Sequence, residues 1–375
     1  MHTKMLKAVP SAIRRSPGRV SRIHSANAID GQTLQLLPPV TLHRPPDCIG
    51  VTDVLGIRSA EAGRQVLEQS TPSRWAANHK MLLTLPDHKR VPELVKIEEL
   101  LLKWQERALW ARSQDMPTFT TAVRDTLKEG EVLVKLAATG IAQLGEHGEY
   151  DGWMDEFLLR RMGTRILLQQ FLALRNSSAQ TDARPVEATG LVDVDCNAVD
   201  VCKKVAECAQ DLTFRLNGKT PRIEVKAFSG LVEHGAEEVG VCNFPCIPNQ
   251  LEYLLLELLK NSCSATLSAA ADDRDLFERV IRIVITSDDE HAQIKVSDQA
   301  HGIPASAYRS LYSWTMGAAA RRDDKIKATP LGGYGVGLPL SRLHAWQLGG
   351  DLNIWSYPGI GTDAVVRIKR ASWGE

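Results

Sequence analysis

Gly332-Gly-Tyr-Gly335-Val-Gly337-Leu338 carries glycines at alternating positions and opens directly into a helical pattern at Leu338–Leu348. Without Cβ atoms in the way, such a loop lets backbone N–H groups approach phosphate oxygens. The helix start that follows adds unpaired donors and the positive end of the helix dipole. Asp298 begins Asp298-Gln-Ala-His-Gly302, straight after an alternating stretch that ends at Val296–Ser297. A carboxylate at a strand end can accept a hydrogen bond from an exocyclic amine such as that of adenine. In Gly359-Ile-Gly361-Thr362-Asp363, ahead of a final strand, Thr362 can hydrogen-bond a phosphate or a carboxylate. Glu257, Lys260 and Asn261 lie three and four positions apart in a Leu-rich helical stretch, so a carboxylate, an ammonium and an amide share one face. Leu254, Leu255, Leu258 and Leu259 supply the buried side of that helix. Taken singly, these signals also fit a solvated stripe, an ordinary Asp-Gly turn or a flexible glycine loop. Their succession along the chain carries more weight than any one of them.

The elements that must position these groups follow from periodicity. From about Gly56 to Leu174 the pattern is helical, with Leu94, Ile97, Leu101, Trp104 and Ala108 at three- and four-residue spacing. Weaker stripes follow at Val132 and Leu136, and another long one at Phe157, Met162, Arg165, Leu168 and Leu172. Several such stripes bury one another in a helical bundle. Asn176–Pro185 is polar and reads as a linker. Beyond it, Val199, Cys202, Val205, Ala209 and Leu212 predict a helix ending at Asn217–Gly218. Strands are predicted at Arg222–Phe228, Val280–Thr286, Gln293–Val296, Leu352–Trp355 and Ala364–Ile368, with helices at Pro248–Ala269 and Leu338–Leu348 between them. The second half is therefore α/β.

Composition narrows the function classes. The 375 residues hold 45 Lys+Arg and 45 Asp+Glu, and this balance argues against broad electrostatic binding to nucleic acid or anionic membrane. Hydrophobic residues at 43% and charged residues at 24% are ordinary globular usage. No apolar run is long enough to span a membrane. Seven Cys, an odd number in a long chain, predict reduced thiols and not a disulfide framework. Cys242-x-x-x-Cys246 lacks a second pair at zinc spacing, and Cys196, Cys202 and Cys208 are expected to pack on one buried helix. The first 29 residues contain Lys4, Lys7, Arg14, Arg15, Arg19 and Arg22, several serines and no acid, the composition of a mitochondrial transit peptide.

An E-x-x-K-N helix, a strand-end D-x-x-x-G, a G-x-G-x-G before a helix and a G-T before a last strand resemble the ATP-binding domain shared by gyrase, Hsp90, histidine kinases and MutL, the Bergerat or GHKL fold. The likeness narrows at Leu251-Glu-Tyr-Leu-Leu-Leu-Glu257-Leu-Leu-Lys-Asn-Ser-Cys-Ser-Ala-Thr266 and at Pro330-Leu-Gly-Gly-Tyr-Gly-Val-Gly-Leu-Pro-Leu-Ser-Arg342-Leu-His-Ala. Both stretches, with Gly349-Gly-Asp-Leu-Asn and Phe157-Leu-Leu-Arg-Arg-Met-Gly-Thr-Arg165, resemble the mitochondrial protein kinases that act on 2-oxoacid dehydrogenases.

The resemblance implies an α+β, two-domain fold: a transit peptide over 1–30, an all-α helical bundle over 31–180, and an α/β sandwich of the GHKL type over 186–372. It implies a serine kinase of the mitochondrial matrix that uses ATP and Mg²⁺ to phosphorylate and inactivate the E1 component of a 2-oxoacid dehydrogenase complex. Pyruvate dehydrogenase is the expected substrate. Leu251–Asn261 leans towards kinases of the branched-chain enzyme, and Pro330–Ala345 towards those of pyruvate dehydrogenase. Glu257 would be the general base, Lys260 a nearby positive charge and Asn261 the Mg²⁺ ligand. Leu258, Leu259, Ser262, Cys263 and Ser264 would accompany them along the nucleotide. Asp298 and Gly302 would hold the adenine, Gly333, Tyr334, Gly335, Val336, Gly337 and Leu338 the phosphates, and Thr362 would complete the pocket. A homodimer that docks on the lipoyl domain of the acyltransferase core is also implied.

The chain departs from the family pattern in places. Ala300 and His301 replace glycines of D-x-G-G-G, so Ala300 is strained if its position needs a positive φ. Gly317 and Ala318 stand where a Ser-Thr pair is usual, and Gly130 and Phe171 fall where relatives often have His. The competing expectations are an ATP-binding relative without catalysis and a two-component histidine kinase.

Overall fold

Pro92 at the first turn and a stripe of Leu94, Ile97, Leu101 and Trp104, all buried, make Pro92–Ala111 an amphipathic helix. The same logic builds its neighbours in the computed structural model, which describes residues 49–145, 148–177, 188–229, 237–308, 310–315 and 335–370. The chain divides into two units, Met1–Gln35 and Leu36–Glu375, and all the described residues belong to the second. The basic segment read as a transit peptide lies outside the described residues.

The first half contains helices α1 (Val51–Leu55), α2 (Ala60–Leu82), α3 (Pro92–Ala111), α4 (Met116–Glu129), α5 (Leu133–Leu144) and α6 (Asp151–Ser177). Side chains close two of their N-termini: Ser59 Oγ accepts from Ala62 N at 3.1 Å, and Asp115 Oδ1 from Thr118 N at 3.0 Å. The bundle core is aromatic, with Trp75 against Trp104 at 5.0 Å and Phe119 edge-on to Phe171 at 5.3 Å. Phe171 is thus a core residue, and Gly130 accepts a hydrogen bond from the buried Arg161 through its carbonyl. No strand interrupts this half among the described residues, as periodicity predicted.

The second half runs β1 (Ala188–Thr189), β2 (Val192–Asn197), α7 (Ala198–Asn217), β3 (Ile223–Ser229), β4 (Glu237–Glu238), β5 (Asn243–Cys246), α8 (Pro248–Ala269), α9 (Asp273–Glu278), β6 (Ile281–Ser287), β7 (His291–Asp298), α10 (Ala305–Tyr308), α11 (Gly337–Gln347), β8 (Asp351–Tyr357) and β9 (Gly361–Lys369). A mixed sheet has the order β4-β3-β6-β7-β9-β8, parallel between β3 and β6 and antiparallel elsewhere. Helices α7 and α8 pack together and cover its apolar face, where Ile281, Ile283, Ile285, Ala292, Ile294, Val296 and Val366 are buried. Gly218 ends α7 with φ +73°, the left-handed turn that glycine adopts without a Cβ penalty. The result is a helical N-terminal region followed by an α/β sheet domain, the fold class the sequence implied.

Periodicity missed a second sheet, ordered β1-β2-β5. Asp193 and Asp195 dilute the apolar signal of β2, and Pro245 sits inside β5, which is an edge strand and can spare the missing N–H. Cys196 therefore lies in a strand and not on a helix with Cys202, and Cys208 is exposed, which corrects the expectation of one buried cysteine face.

Candidate functional site

Helix α8 starts at Pro248 and turns Leu251, Leu254, Leu255, Leu258 and Leu259 into the core. That orientation leaves Glu257 and Lys260 on its polar edge, where Lys260 Nζ donates to Glu257 Oε1 at 2.7 Å. Both side chains are shielded, at 14% and 15% exposure for Glu257 and Lys260. Asn261, next along the same edge, is exposed. Leu258, Leu259 and Cys263 belong to the core side of the helix, so they support this edge from behind. Ser264 is half-buried and Ser262 is buried.

The start of α11 comes up against Glu257. A Cβ placed on Gly337 would stand 2.6 Å from Glu257 Oε2, so only glycine leaves room for the carboxylate where it is. Val336 occupies the N-cap position, and no side chain caps the helix. First-turn N–H groups without a side-chain cap, at the positive end of the helix dipole, suit an anion. Gly335, just before, has φ +75°, in the region that favours glycine. Val336 is buried and Leu338 half-buried, while Gly333 and Tyr334 lie outside the described residues. One turn before Glu257, the Tyr253 ring packs on His344 of α11 at 4.7 Å between centroids. Burial, with a smaller contribution from Arg161, pushes the His344 imidazole down to about 3, so it is neutral in this contact at physiological pH.

Asp298 closes β7 opposite Thr362 of β9. Its Oδ1 accepts from Ala300 N at 3.1 Å and Thr362 N at 3.2 Å, and Ser262 Oγ donates to Oδ2 at 3.2 Å. Burial raises its carboxyl above the ordinary carboxylate value, and those three bonds act against the rise. The turn after Asp298 is held by the β8–β9 hairpin: Gly359 N donates to His301 O at 2.8 Å, and Ile303 N to Ser356 Oγ at 2.6 Å. Gly302, at φ +70°, takes the left-handed conformation in this turn. Ala300 does not, since among the described residues Asp87 is the non-glycine with positive φ. The strain foreseen at Ala300 is therefore absent, and Ala300 is simply buried.

Two clusters emerge: Glu257, Lys260 and Gly337, and Ser262, Asp298, Gly302 and Thr362. Helix α8 contributes to both, with Ser262 one turn beyond Glu257. Sequence reasoning missed Gly361, although its motif was noticed. A Cβ there would lie 2.1 Å from Asp298 O, so this glycine allows β9 to close on the Asp298 backbone. The exchanged Ser-Thr position, Gly317–Ala318, lies outside the described residues.

Comparison with known proteins places this geometry in context. Residues 246–372 match the family model described as histidine kinase-, DNA gyrase B-, and HSP90-like ATPase. Residues 61–193 match the one described as mitochondrial branched-chain alpha-ketoacid dehydrogenase kinase. The mitochondrial pyruvate dehydrogenase (acetyl-transferring) kinase of Arabidopsis thaliana is 29% identical over 324 residues, covering 82% of this chain and 84% of that protein. Isozyme 3 of the Homo sapiens enzyme is 32% identical over 223 residues, which is 59% of this chain and 52% of that protein. Isozyme 1 from Mus musculus is 28% identical over 324 residues, at 82% and 72% coverage. The matched region thus spans most of the plant relative and about half of isozyme 3.

Proposed function

As a member of the mitochondrial 2-oxoacid dehydrogenase kinase family, within the histidine kinase, gyrase and HSP90-like ATPases, this chain is, we propose, a protein serine kinase that phosphorylates and inactivates the E1 component of the pyruvate dehydrogenase complex. One observation carries the reading: a shielded carboxylate, Glu257, sits directly against the uncapped N-terminus of α11. This arrangement sets a proton acceptor beside a phosphate cradle.

When bound, Mg-ATP would supply the γ-phosphoryl group, with ADP as the leaving group and the metal offsetting charge on the phosphates. The residues present fit that role. The free first-turn N–H groups of Gly337 and Leu338 would meet phosphate oxygens, and Lys260 would add a positive charge alongside. The exposed amide of Asn261 would offer Mg²⁺ an oxygen ligand. Asp298, which meets α8 at Ser262, would receive the adenine amine, with Ser262 and Thr362 N holding its orientation. Glu257 accepts the proton of the substrate serine as its oxygen attacks. Lys260 holds that carboxylate in place and has to share it with the incoming hydroxyl.

A homodimer docked on a lipoyl domain in the matrix completes the proposal; of these, the relatives support only the mitochondrial location. Among the described residues no helix is long and apolar enough to cross a membrane. One observation favours a second substrate, the branched-chain 2-oxoacid dehydrogenase, because the helical half matches the model described for its kinase.

The deciding experiment incubates the purified chain with each E1 component and γ-labelled Mg-ATP. Label on a serine of pyruvate dehydrogenase E1 is expected. Label on the branched-chain E1 alone replaces the substrate, and label on neither overturns the kinase reading.

Gly337→Ala tests the cradle. Gly337 is the first residue of α11, where alanine is tolerated as well as glycine, so the thermal midpoint should hold. The new methyl must displace Glu257 Oε2, which is the mobile end of a side chain, and transfer should fall by about a hundredfold. Full activity would show that the carboxylate is not needed where it stands.

A further inference from the structure

Helix α11 has to present its first turn to Glu257, yet its deepest polar anchor lies elsewhere. Five residues past Gly337, the Arg342 guanidinium is 2% exposed and lies between the rings of Tyr312 and Trp346, at 4.5 and 4.9 Å. Its Nη2 donates to Asp155 Oδ2 on α6 at 2.5 Å, while Trp314 Nε1 donates to Asp155 Oδ1 at 2.8 Å. Nε and Nη1 of Arg342 are buried without a hydrogen-bond partner. One turn earlier on α6, Asp151 Oδ1 accepts from Trp314 N at 2.9 Å and from Ser313 Oγ at 3.3 Å. A single helix of the bundle therefore grips both Trp314 and α11.

Buried ion pairs contribute little net stability, because desolvation offsets the attraction, and apolar pairs of similar volume often do as well. Their best-attested benefit is register. An ion pair held by a second donor on the same carboxylate fixes both the axial position and the rotation of α11. Any slip there moves Gly337 against Glu257, since a helix transmits displacement along its axis nearly rigidly.

We infer that Asp155 is a positioning residue: through Arg342 it sets the α11 first turn for phosphate binding and so makes nucleotide affinity depend on the helical bundle. This rests on the reading of the α11 start as the phosphate site. Asp155 touches no reacting atom itself.

The test separates register from stability. In the double variant Asp155→Leu/Arg342→Met the charges are replaced by apolar bulk, while Trp314 Nε1 loses its acceptor, so the two effects oppose one another and its thermal midpoint should stay close to that of the unaltered chain. Its Kd for Mg-ATP, measured by calorimetry, should rise at least tenfold. Trp314→Phe removes the indole N–H together with part of a fully buried ring, so its thermal midpoint should fall while the chain still folds, and its KM for ATP should rise about threefold to tenfold with kcat changed far less. Unaltered nucleotide affinity in both variants overturns the inference, including when their midpoints fall, since that would leave Asp155 a purely structural role. If the unaltered chain itself binds no Mg-ATP, the phosphate-site reading fails, and this inference with it.

Discussion

Glu257→Gln leaves Mg-ATP bound with near-normal affinity, while phosphoryl transfer to the dehydrogenase serine falls by about 10²- to 10⁴-fold, the usual range for a lost general base. Glutamine keeps the length and most of the shape of glutamate. Its amide oxygen can still accept from Lys260 Nζ, and it still fits beside Gly337. What it loses is the ability to take the serine proton. Equilibrium nucleotide binding and single-turnover transfer, measured on one preparation, check both halves of the expectation. A variant with unchanged transfer would remove Glu257 from the mechanism. A variant that no longer binds nucleotide would make the Glu257–Lys260 pair part of the phosphate site instead.

Asp298→Asn has the second large effect, on base selectivity. The amide oxygen can keep the bonds from Ala300 N and Thr362 N, so folding should survive. The amide nitrogen then replaces the oxygen that meets Ser262 Oγ and, in the proposed pocket, the adenine amine. Two donors would face one another there, and a charged hydrogen bond worth about 1.5–3 kcal/mol is lost. ATP affinity should fall roughly tenfold to 150-fold, at 1.4 kcal/mol per tenfold. Inosine triphosphate, which presents an oxygen where adenine has its amine, should lose much less. Competition between the two triphosphates in a binding assay measures the change, and an equal loss for both would argue against Asp298 as the adenine contact.

The two variants probe two groups that meet at the middle of α8, Glu257 directly and Asp298 through Ser262. Glu257 and Ser262 are five residues apart on one helix, with the phosphate-side cluster at one and the adenine-side cluster at the other. Rigid secondary structure holds such a separation more exactly than a loop would. In this chain a single helix therefore sets the distance between the proton acceptor and the base-recognising carboxylate.

Some of this was legible before any coordinates. The polar edge of α8 came from spacing alone, because a 3.6-residue period leaves Glu257, Lys260 and Asn261 no choice but to share a side once the leucines face inward. The Gly218 stop, the main strands and the glycine-led start of α11 were local signals of the same kind. Where the local signal was diluted, reading failed. Acidic residues in β2 and a proline in β5 hid a sheet whose strands are joined by backbone bonds that side-chain patterns do not report. The expected strain at Ala300 failed for another reason: the left-handed turn sits at Gly302, and only the path of the backbone between β7 and the β8–β9 hairpin could place it there.

By itself, then, the order of residues determined which side chains could do chemistry and which face of each helix would carry them, since these depend on neighbours a few positions away. Tertiary structure alone decided what those side chains meet. Gly337 against Glu257, Ser262 on Asp298, Gly361 over the Asp298 carbonyl and Arg342 on Asp155 join residues 36 to 187 positions apart in the hydrogen-bonded cases. Contacts at that separation arise from how layers pack, and packing is a property of the whole chain's burial, which no short motif encodes.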